Sequence, residues 1–192
     1  SAVINDVLVV SPVADKGYDV DKVTYNDGTE EATDTEVTAD AEGAYKITVA
    51  EKNVKVKVTF KKSDLAITNS TAEADKATNN GYISTVPVTA KVGDTVTVVA
   101  TANDGYALKE IKVAPTAADS TATVTATKVD ANSYTFVMPN EAVSVSAVFE
   151  SRPVTLTVAY VTNLEDKANT TVATKTVSGT FTKGQEGVTL DD

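Results

Sequence analysis

Apolar residues occupy every second position over much of the chain. Clear examples are the segments 95–99, 123–125 and 154–158, in which valine or leucine alternates with threonine. Alternation with a period of two is typical of a strand that buries one face, and β-branched valine and threonine suit strands better than helices. The pattern therefore predicts an all-β protein.

One stretch of this pattern occurs twice. Residues 134–149 reproduce residues 45–60 position for position, at an offset of 89 (134 minus 45). In each copy, alternating apolar residues stand on both sides of a four-residue segment, 50–53 in the first copy and 139–142 in the second. Each copy is predicted to form a two-stranded antiparallel hairpin with one buried face.

A second repeated landmark lies upstream of that stretch. Residues 6–10 and 17–23 correspond to residues 94–98 and 105–111 at a constant offset of 88, and both copies contain a Gly-Tyr pair. Glycine allows the positive φ of a chain reversal. The polar stretches that follow, 26–43 and 114–132, are predicted to be loop plus one short strand, with 121–127 the clearest candidate.

The second copy also has an opening portion, residues 64–93, whose strands are predicted to complete a module. Similar segments follow the second copy: 154–158 resembles 65–68, and 183–190 resembles 91–98 at an offset of 92 (183 minus 91). We therefore predict tandem small modules with partial modules at both ends. They are the C-terminal part of one module (1–62), a complete module (63–151) and the N-terminal part of a third (152–192).

The second copy resembles the divergent internalin B-repeat family of bacterial cell-wall and secreted proteins. The resemblance rests on the segments 93–98 (Gly-Asp-Thr-Val-Thr-Val), 105–106 (Gly-Tyr), 134–139 (Tyr-Thr-Phe-Val-Met-Pro) and 143–149 (Val-Ser-Val-Ser-Ala-Val-Phe). It implies compact β-rich modules, β-grasp-like or β-sandwich, that occur in tandem as a stalk or adhesive region. The first copy departs from the pattern where Val49-Ala50 replaces Met-Pro, and the family has no catalytic residues to transfer.

Composition limits the chemistry that the chain can carry out. It contains no Cys, His or Trp, which excludes disulfides, thiolate or imidazole metal sites and Ser-His-Asp triads. Paired carboxylates remain, but no spacing singles out a pair, so we predict neither an enzyme nor catalytic residues. The net charge of −10 argues against nucleic acid, and no apolar run approaches the ~20 residues of a membrane-spanning helix.

Acidic residues cluster at 19–21, 30–42 and 191–192. Carboxylate oxygens are ligands for calcium, but no EF-hand-like spacing is present. The clusters are predicted to be solvated surface, with structural calcium as the alternative, and no cofactor is predicted.

Tyrosines and a few polar residues are the other candidates for a site. Tyr18, Tyr45, Tyr106 and Tyr134 recur in both copies and are predicted to pack in the module cores, whereas Tyr25, Tyr82 and Tyr160 remain candidates for a sugar site. The Asn-x-Ser/Thr triplets 69–71 and 169–171 are expected by chance in such a sequence. Lysines 46, 55 and 57 fall on the polar face of the alternation, which argues against intramolecular isopeptide bonds.

These features predict a non-enzymatic structural or adhesive repeat region of a bacterial extracellular or cell-surface protein. Its partners would be neighbouring modules, or like subunits joined head to tail into a fibre by strand addition at exposed edges. The alternative is a β-module that binds carbohydrate or another host ligand.

Overall fold

The computed structural model describes residues 3–29, 32–50, 53–161 and 171–180. This part of the chain consists mainly of β-strands, with one 3₁₀ turn and one short α-helix. The prediction of an all-β protein is confirmed.

Five strands precede residue 63. They are β1 (Val7–Val10), β2 (Tyr18–Asn26), β3 (Thr35–Val37), β4 (Tyr45–Thr48) and β5 (Lys55–Lys62). β1 pairs with β4 to form a two-stranded sheet, and β3, β2 and β5 form a three-stranded sheet in that order. Every pairing in these two sheets is antiparallel.

Two four-stranded sheets follow. Their strands are β6 (Asp64–Asn69), β7 (Gly81–Thr85), β8 (Thr89–Lys91), β9 (Thr95–Ala102), β10 (Tyr106–Pro115), β11 (Thr127–Lys128), β12 (Ser133–Val137) and β13 (Val143–Ser151). A 3₁₀ turn (Glu73–Asp75) and helix α1 (Lys76–Asn79) separate β6 from β7. The strand orders are β10-β13-β6-β8 and β11-β12-β9-β7, and β6 and β13 run parallel. Beyond them, β14 (Pro153–Val161) pairs with β15 (Thr171–Thr180).

The two four-stranded sheets share one hydrophobic core. Side chains from β6, β7, β9, β10, β12 and β13 form a single cluster of buried residues. Each fully buried Val, Ile, Phe or Met contributes about 1.5–3 kcal/mol relative to exposure. Because α1 has four residues and buries none of them, it cannot cover a sheet as the helix of a β-grasp fold does. Of the two predicted architectures, the structure therefore has the sandwich.

The prediction of a hairpin in each copy is wrong. β4 pairs with β1, and β5 pairs with β2; in the second copy β12 pairs with β9 and β11, and β13 pairs with β10 and β6. The segment between the two strands therefore crosses from one sheet to the other. A period of two identifies the buried face of a strand, but the inner faces of two opposed sheets have the same pattern.

The backbone pairing of the two copies is the same. β1–β4 and β9–β12 have equivalent registers, since Val7 lies opposite Thr48 as Thr95 lies opposite Val137. β2–β5 and β10–β13 also match, including a bulge after Val20 in one and after Leu108 in the other. The repeat seen in the sequence is therefore a repeat of structure.

Burial differs between the copies, because β6 and β7 cover only the second. Leu8 is 37% exposed, whereas its counterpart Val96 is 2% exposed. Phe60 is 47% exposed, whereas its counterpart Phe149 packs against the core. The hairpin pattern correctly predicts which face is apolar, but it does not predict that Phe60 lies at the surface.

The four repeated tyrosines do not all pack in a core as predicted. Tyr134 is buried, Tyr45 and Tyr106 are half-buried, and Tyr18 is exposed. Tyr134 is fixed by its hydroxyl, which donates to the Lys109 carbonyl at 2.7 Å. The prediction is wrong for Tyr18, which has no covering strand.

The variable polar stretches each contain the expected short strand, but not always where expected. In the first copy this is β3, which pairs with β2. In the second, Val124 makes a single bridge to Val113 on β10, and β11 begins at Thr127 and pairs with β12 instead. The prediction of a strand over 121–127 is therefore wrong except at Val124 and Thr127.

Strand pairing occurs within residues 7–62, within 64–151 and within 153–180. The division into modules at 62/63 and 151/152 stays a prediction. The pairing is consistent with it, because no strand pair among the described residues joins positions on opposite sides of either boundary. The proposed likeness of 183–190 to 91–98 lies outside the described residues.

Candidate functional site

The junction between the first and second copies is a close contact of backbone. The Ser63 N–H donates to the Gly17 carbonyl at 2.9 Å, and the Lys91 ammonium donates to Asp64 at 2.9 Å and to the Lys62 carbonyl at 3.4 Å. At the other end of the second copy, the Arg152 N–H donates to the Gly105 carbonyl at 2.8 Å. The residues that follow β5 and β13 therefore make the same backbone hydrogen bond, each to the glycine of the Gly-Tyr pair in the preceding copy.

Gly17 lies in this junction with a positive φ and in close contact with the second copy. Its φ is +83°, and an added Cβ would lie 3.2 Å from the Asn140 Cα and Cβ atoms and 3.4 Å from the Val92 Cβ. A side chain here would be strained by the backbone conformation and would crowd the 139–142 segment.

Gly17→Ala is expected to destabilise the chain more than Gly28→Ala. Both glycines have positive φ, so both variants carry a backbone cost of about 1–2 kcal/mol. A Cβ at Gly28, whose φ is +76°, meets nothing within 4 Å, so only Gly17→Ala adds crowding. Urea denaturation of both variants measures the difference, and equal midpoints would show that the Asn140 contact contributes nothing.

An open depression of about 450 Å³ lies beside Tyr25 in the first copy. Its lining includes the half-buried ring of Tyr25 together with polar groups of Asn26, Asp27, Thr33, Thr35 and Asn53. The rim is ordered by Asn26, whose side-chain amide donates to Asp34 at 2.6 Å and whose oxygen accepts from the Gly28 N–H. An aromatic face beside hydrogen-bonding groups suits a small polar ligand such as a sugar.

The second copy has polypeptide at the corresponding place. The Thr116 N–H donates to the carbonyl of Ala142, the counterpart of Asn53, at 3.0 Å, and the Ser120 hydroxyl contacts Glu141 at 2.5 Å. The counterpart of Tyr25 is Val113, which packs against the core of the second copy, so an aromatic ring at this position is found in the first copy and not in the second. The depression is thus a property of the first copy.

A second depression contains the other candidate tyrosine. It lies between Tyr82, Tyr106 and Asn103, with the Lys76 ammonium 6.0 Å from the centre of the Tyr82 ring. The Asn103 side-chain amide donates to the Lys76 carbonyl at 2.8 Å and fixes this edge. Tyr82 is therefore half-buried against its own module, and the side chain of Tyr160 lies outside the described residues.

The acidic stretches do not assemble a metal site in the part of the chain with described coordinates. No group of three carboxylates there could hold an ion. Several carboxylates instead face lysines: Asp21 lies 3.7 Å from Lys61, and Asp40 lies 2.8 Å from Lys46. Residues 30, 31, 191 and 192 lie outside the described residues, so calcium binding by the full acidic set stays untested.

Asp40 organises the turn before β4. Its carboxylate accepts from the Lys46 side chain and from the backbone N–H groups of Ala44 and Glu42. The hydrogen bond from Lys46 is the main cause that lowers the pKa of Asp40, followed by that from Ala44. Asp130 plays a similar part before β12, where hydrogen bonds from the Ser133 side chain and the Asn132 N–H lower its pKa.

Asp40→Asn is expected to reduce stability at neutral pH by an amount that shrinks in acid. A carboxyl group with a lowered folded-state pKa stabilises the fold above its unfolded pKa, ordinarily 3.8, and loses that effect as the pH falls through the lowered value. Denaturation midpoints of wild type and variant at pH 7 and pH 3 measure the change. Asp19→Asn, on an exposed position of β2, is the control, and a wild-type advantage that persists unchanged at pH 3 would contradict the assignment.

The remaining candidates have structural explanations. Lys46, Lys55 and Lys57 are exposed, as the polar face predicts. Asn69, in the first glycosylation-like triplet, is half-buried: its amide donates to the Ile83 carbonyl and its oxygen accepts from the Thr71 N–H. Asn169 lies outside the described residues.

Comparison with protein families gives one match. Residues 74–153 match the model of the divergent InlB B-repeat domain. This segment is therefore similar to a divergent InlB B-repeat domain. The curated proteins and the solved structures contain no match to the chain.

The B-repeat domain spans the described strands from β7 to β13, and the resemblance suggested by the sequence is confirmed. The family is a repeat domain associated with bacterial surface proteins and is not known as enzymatic. In the described ranges, no helix is long and apolar enough to cross a membrane.

Among the strands that the structure describes, none lies beside the edge of β5 that faces away from β2. The sequence did not reveal this edge, because the predicted hairpin pairs β5 with β4. The Gly17–Ser63 hydrogen bond could not be anticipated from the sequence either. The recurrence of Gly-Tyr at 105–106 indicates only that both copies have the same turn.

Proposed function

We propose that the chain is a structural repeat region of a bacterial extracellular protein, in which successive modules act as a spacer that holds other domains away from the cell. The observation that carries this proposal is the repeated junction. Gly17 accepts from Ser63 as Gly105 accepts from Arg152, so each module passes the chain to the next with the same hydrogen bond. Regular links produce a regular array.

Three further observations support a non-enzymatic spacer. Residues 74–153 match the model of a family associated with bacterial surface proteins. The chain has no Cys or His for nucleophilic or metal chemistry. The net charge of −10 disfavours nonspecific association between like chains and keeps the array dispersed. Its immediate partners are neighbouring modules of the same protein.

Small-angle X-ray scattering of the monomeric full chain tests this proposal. A single compact domain of 192 residues has a radius of gyration of about 16 Å. A row of modules is expected to exceed that value clearly and to give the asymmetric distance distribution of a rod. A radius near 16 Å with a symmetric distribution would overturn the spacer.

A second candidate function is binding of a carbohydrate in the Tyr25 depression. It is favoured by a half-buried aromatic ring that lines an open depression, beside preordered Asn and Asp side chains. Glycan-array screening of the full chain tests it. Loss of a signal in Tyr25→Ala but not in Tyr82→Ala would support the site, and retention in both, or no signal for the wild type, would remove it.

A further inference from the structure

The complete module closes its last strand with its first. β13 pairs in parallel with β6, so that Val143, Ser144 and Val145 lie opposite Ile67, Thr68 and Asn69. The Ser70 N–H donates to the Val145 carbonyl at 2.8 Å, and the Ala147 N–H donates to the buried Thr71 hydroxyl at 3.0 Å. This edge of β13 is therefore hydrogen-bonded from Val143 to Ala147.

The equivalent edge of β5 has no strand beside it in the part of the chain that the structure describes. Val56 is the counterpart of Val145 (56 plus 89), and β5 pairs with β2 in the register of β13 with β10. The Val56 carbonyl must therefore point away from β2, as that of Val145 points away from β10. Open backbone groups on an edge favour addition of another strand.

The β14–β15 pair begins with the same register as the three residue pairs of β6–β8, and it continues for nine pairs. Asp64, Leu65 and Ala66 lie opposite Lys91, Ala90 and Thr89. At an offset of 89, Pro153, Val154 and Thr155 lie opposite Thr180, Gly179 and Ser178. β14 also follows its link as β6 does, because the Arg152–Gly105 and Ser63–Gly17 hydrogen bonds are equivalent.

We infer that β14 of one molecule adds in parallel to the free edge of β5 in a second copy of this chain. The register places Leu156 opposite Val54, Thr157 opposite Lys55 and Val158 opposite Val56, as in the β6–β13 pair. This pairing rests on the structural role proposed above and names its partner. Since the two surfaces differ, the contact is heterologous and repeats head to tail.

Charge determines which strand the edge accepts. β5 contains Lys55, Lys57, Lys61 and Lys62, whereas the nine residues of β14 contain no charged side chain. Antiparallel pairing of β5 with another β5 would bring like charges together, which destabilises a cross-strand pair. The neutral β14 meets no such repulsion, so the edge favours the head-to-tail pairing over a symmetric one.

Disulfide trapping tests the register directly, because the chain contains no cysteine. In the complete module the Ser70 and Ser144 hydroxyl oxygens are 2.7 Å apart across the β6–β13 pair. Their counterparts are Ala159 and Lys55, from 70 plus 89 and 144 minus 89. The full chain carrying Lys55→Cys and Ala159→Cys is expected to form a ladder of dimers, trimers and larger species under mild oxidation on a non-reducing gel.

Three controls make the outcome decisive. Each single variant can give at most dimers, and Lys55→Cys with Tyr160→Cys, shifted by one residue from the expected register, is expected to give no ladder. Equal ladders from both double variants, no ladder from the first, or only a monomer with an internal disulfide would overturn the inference. A scattering profile of the dilute monomer that remains elongated would leave the spacer role intact in that case.

Discussion

Truncation of Phe136 to alanine is expected to lower the free energy of unfolding of the second module by about 3–5 kcal/mol. Phe136 is 2% exposed on β12, opposite Val96 of β9, in the cluster that both four-stranded sheets share. Removing the ring leaves a cavity between two rigid sheets that cannot collapse onto it. The loss therefore includes both the transfer free energy of the ring and the cost of the cavity.

The adjacent residue provides a matched control. Val137 is 61% exposed on the other face of β12, so Val137→Ala is expected to change the free energy by less than about 0.5 kcal/mol. Hydrogen exchange read by mass spectrometry assigns the effect to peptides of the second module, which bulk denaturation of a repeat chain cannot do. Equal loss of protection in both variants would mean that β12 does not face the core as described.

Gly81→Ala is expected to be the other severe substitution. A Cβ on Gly81 would lie 2.6 Å from the Phe149 Cζ atom and 2.7 Å from the Thr101 carbonyl oxygen. The phenyl ring can rotate away, but the carbonyl belongs to β9, which pairs with β7 at this point. The strand must therefore shift, and we expect a loss of about 3 kcal/mol, the upper part of the range for overpacked sites.

Gly43→Ala separates this contact from the general cost of replacing glycine. Its φ is +79°, and an added Cβ would meet nothing within 4 Å, so its cost is limited to about 1–2 kcal/mol of backbone strain. Hydrogen exchange read by mass spectrometry gives the comparison, on peptides of the second module for Gly81→Ala and of the first for Gly43→Ala. A smaller loss of protection for Gly81→Ala than for Gly43→Ala would show that β7 does not press on Phe149.

The strands themselves could be predicted from the sequence because alternation reports which residues of a strand face an apolar layer. The partners could not. Val54, Val56 and Val58 have the same alternation whether β5 pairs with β4 or with β2, since both arrangements bury the same side chains. Pairing depends on where the chain crosses between sheets, and the four residues after Val49 contain no turn signal strong enough to decide that.

Burial at repeated positions likewise depends on residues outside the repeat unit that was compared. Phe60 and Phe149 occupy the same register position, yet only Phe149 has Gly81 of β7 above it. An equivalent position in the repeat predicts the backbone pairing of a residue. The burial of its side chain depends in addition on which strands cover it. The Tyr25 depression was equally beyond prediction, because part of its lining, including Asn26, Asp27 and Thr33, comes from a variable stretch in which the copies differ.

The parallel pairing of β6 with β13 has a consequence for a chain under tension. Asp64 begins β6 and Ser151 ends β13, so a pull on the two ends of the complete module runs in opposite directions along two adjacent strands. Such a load shears the hydrogen bonds between them together instead of opening them one at a time from an end. A module tethered between a cell and a surface in flow would therefore extend only after the whole patch from Ile67 to Thr71 gives way.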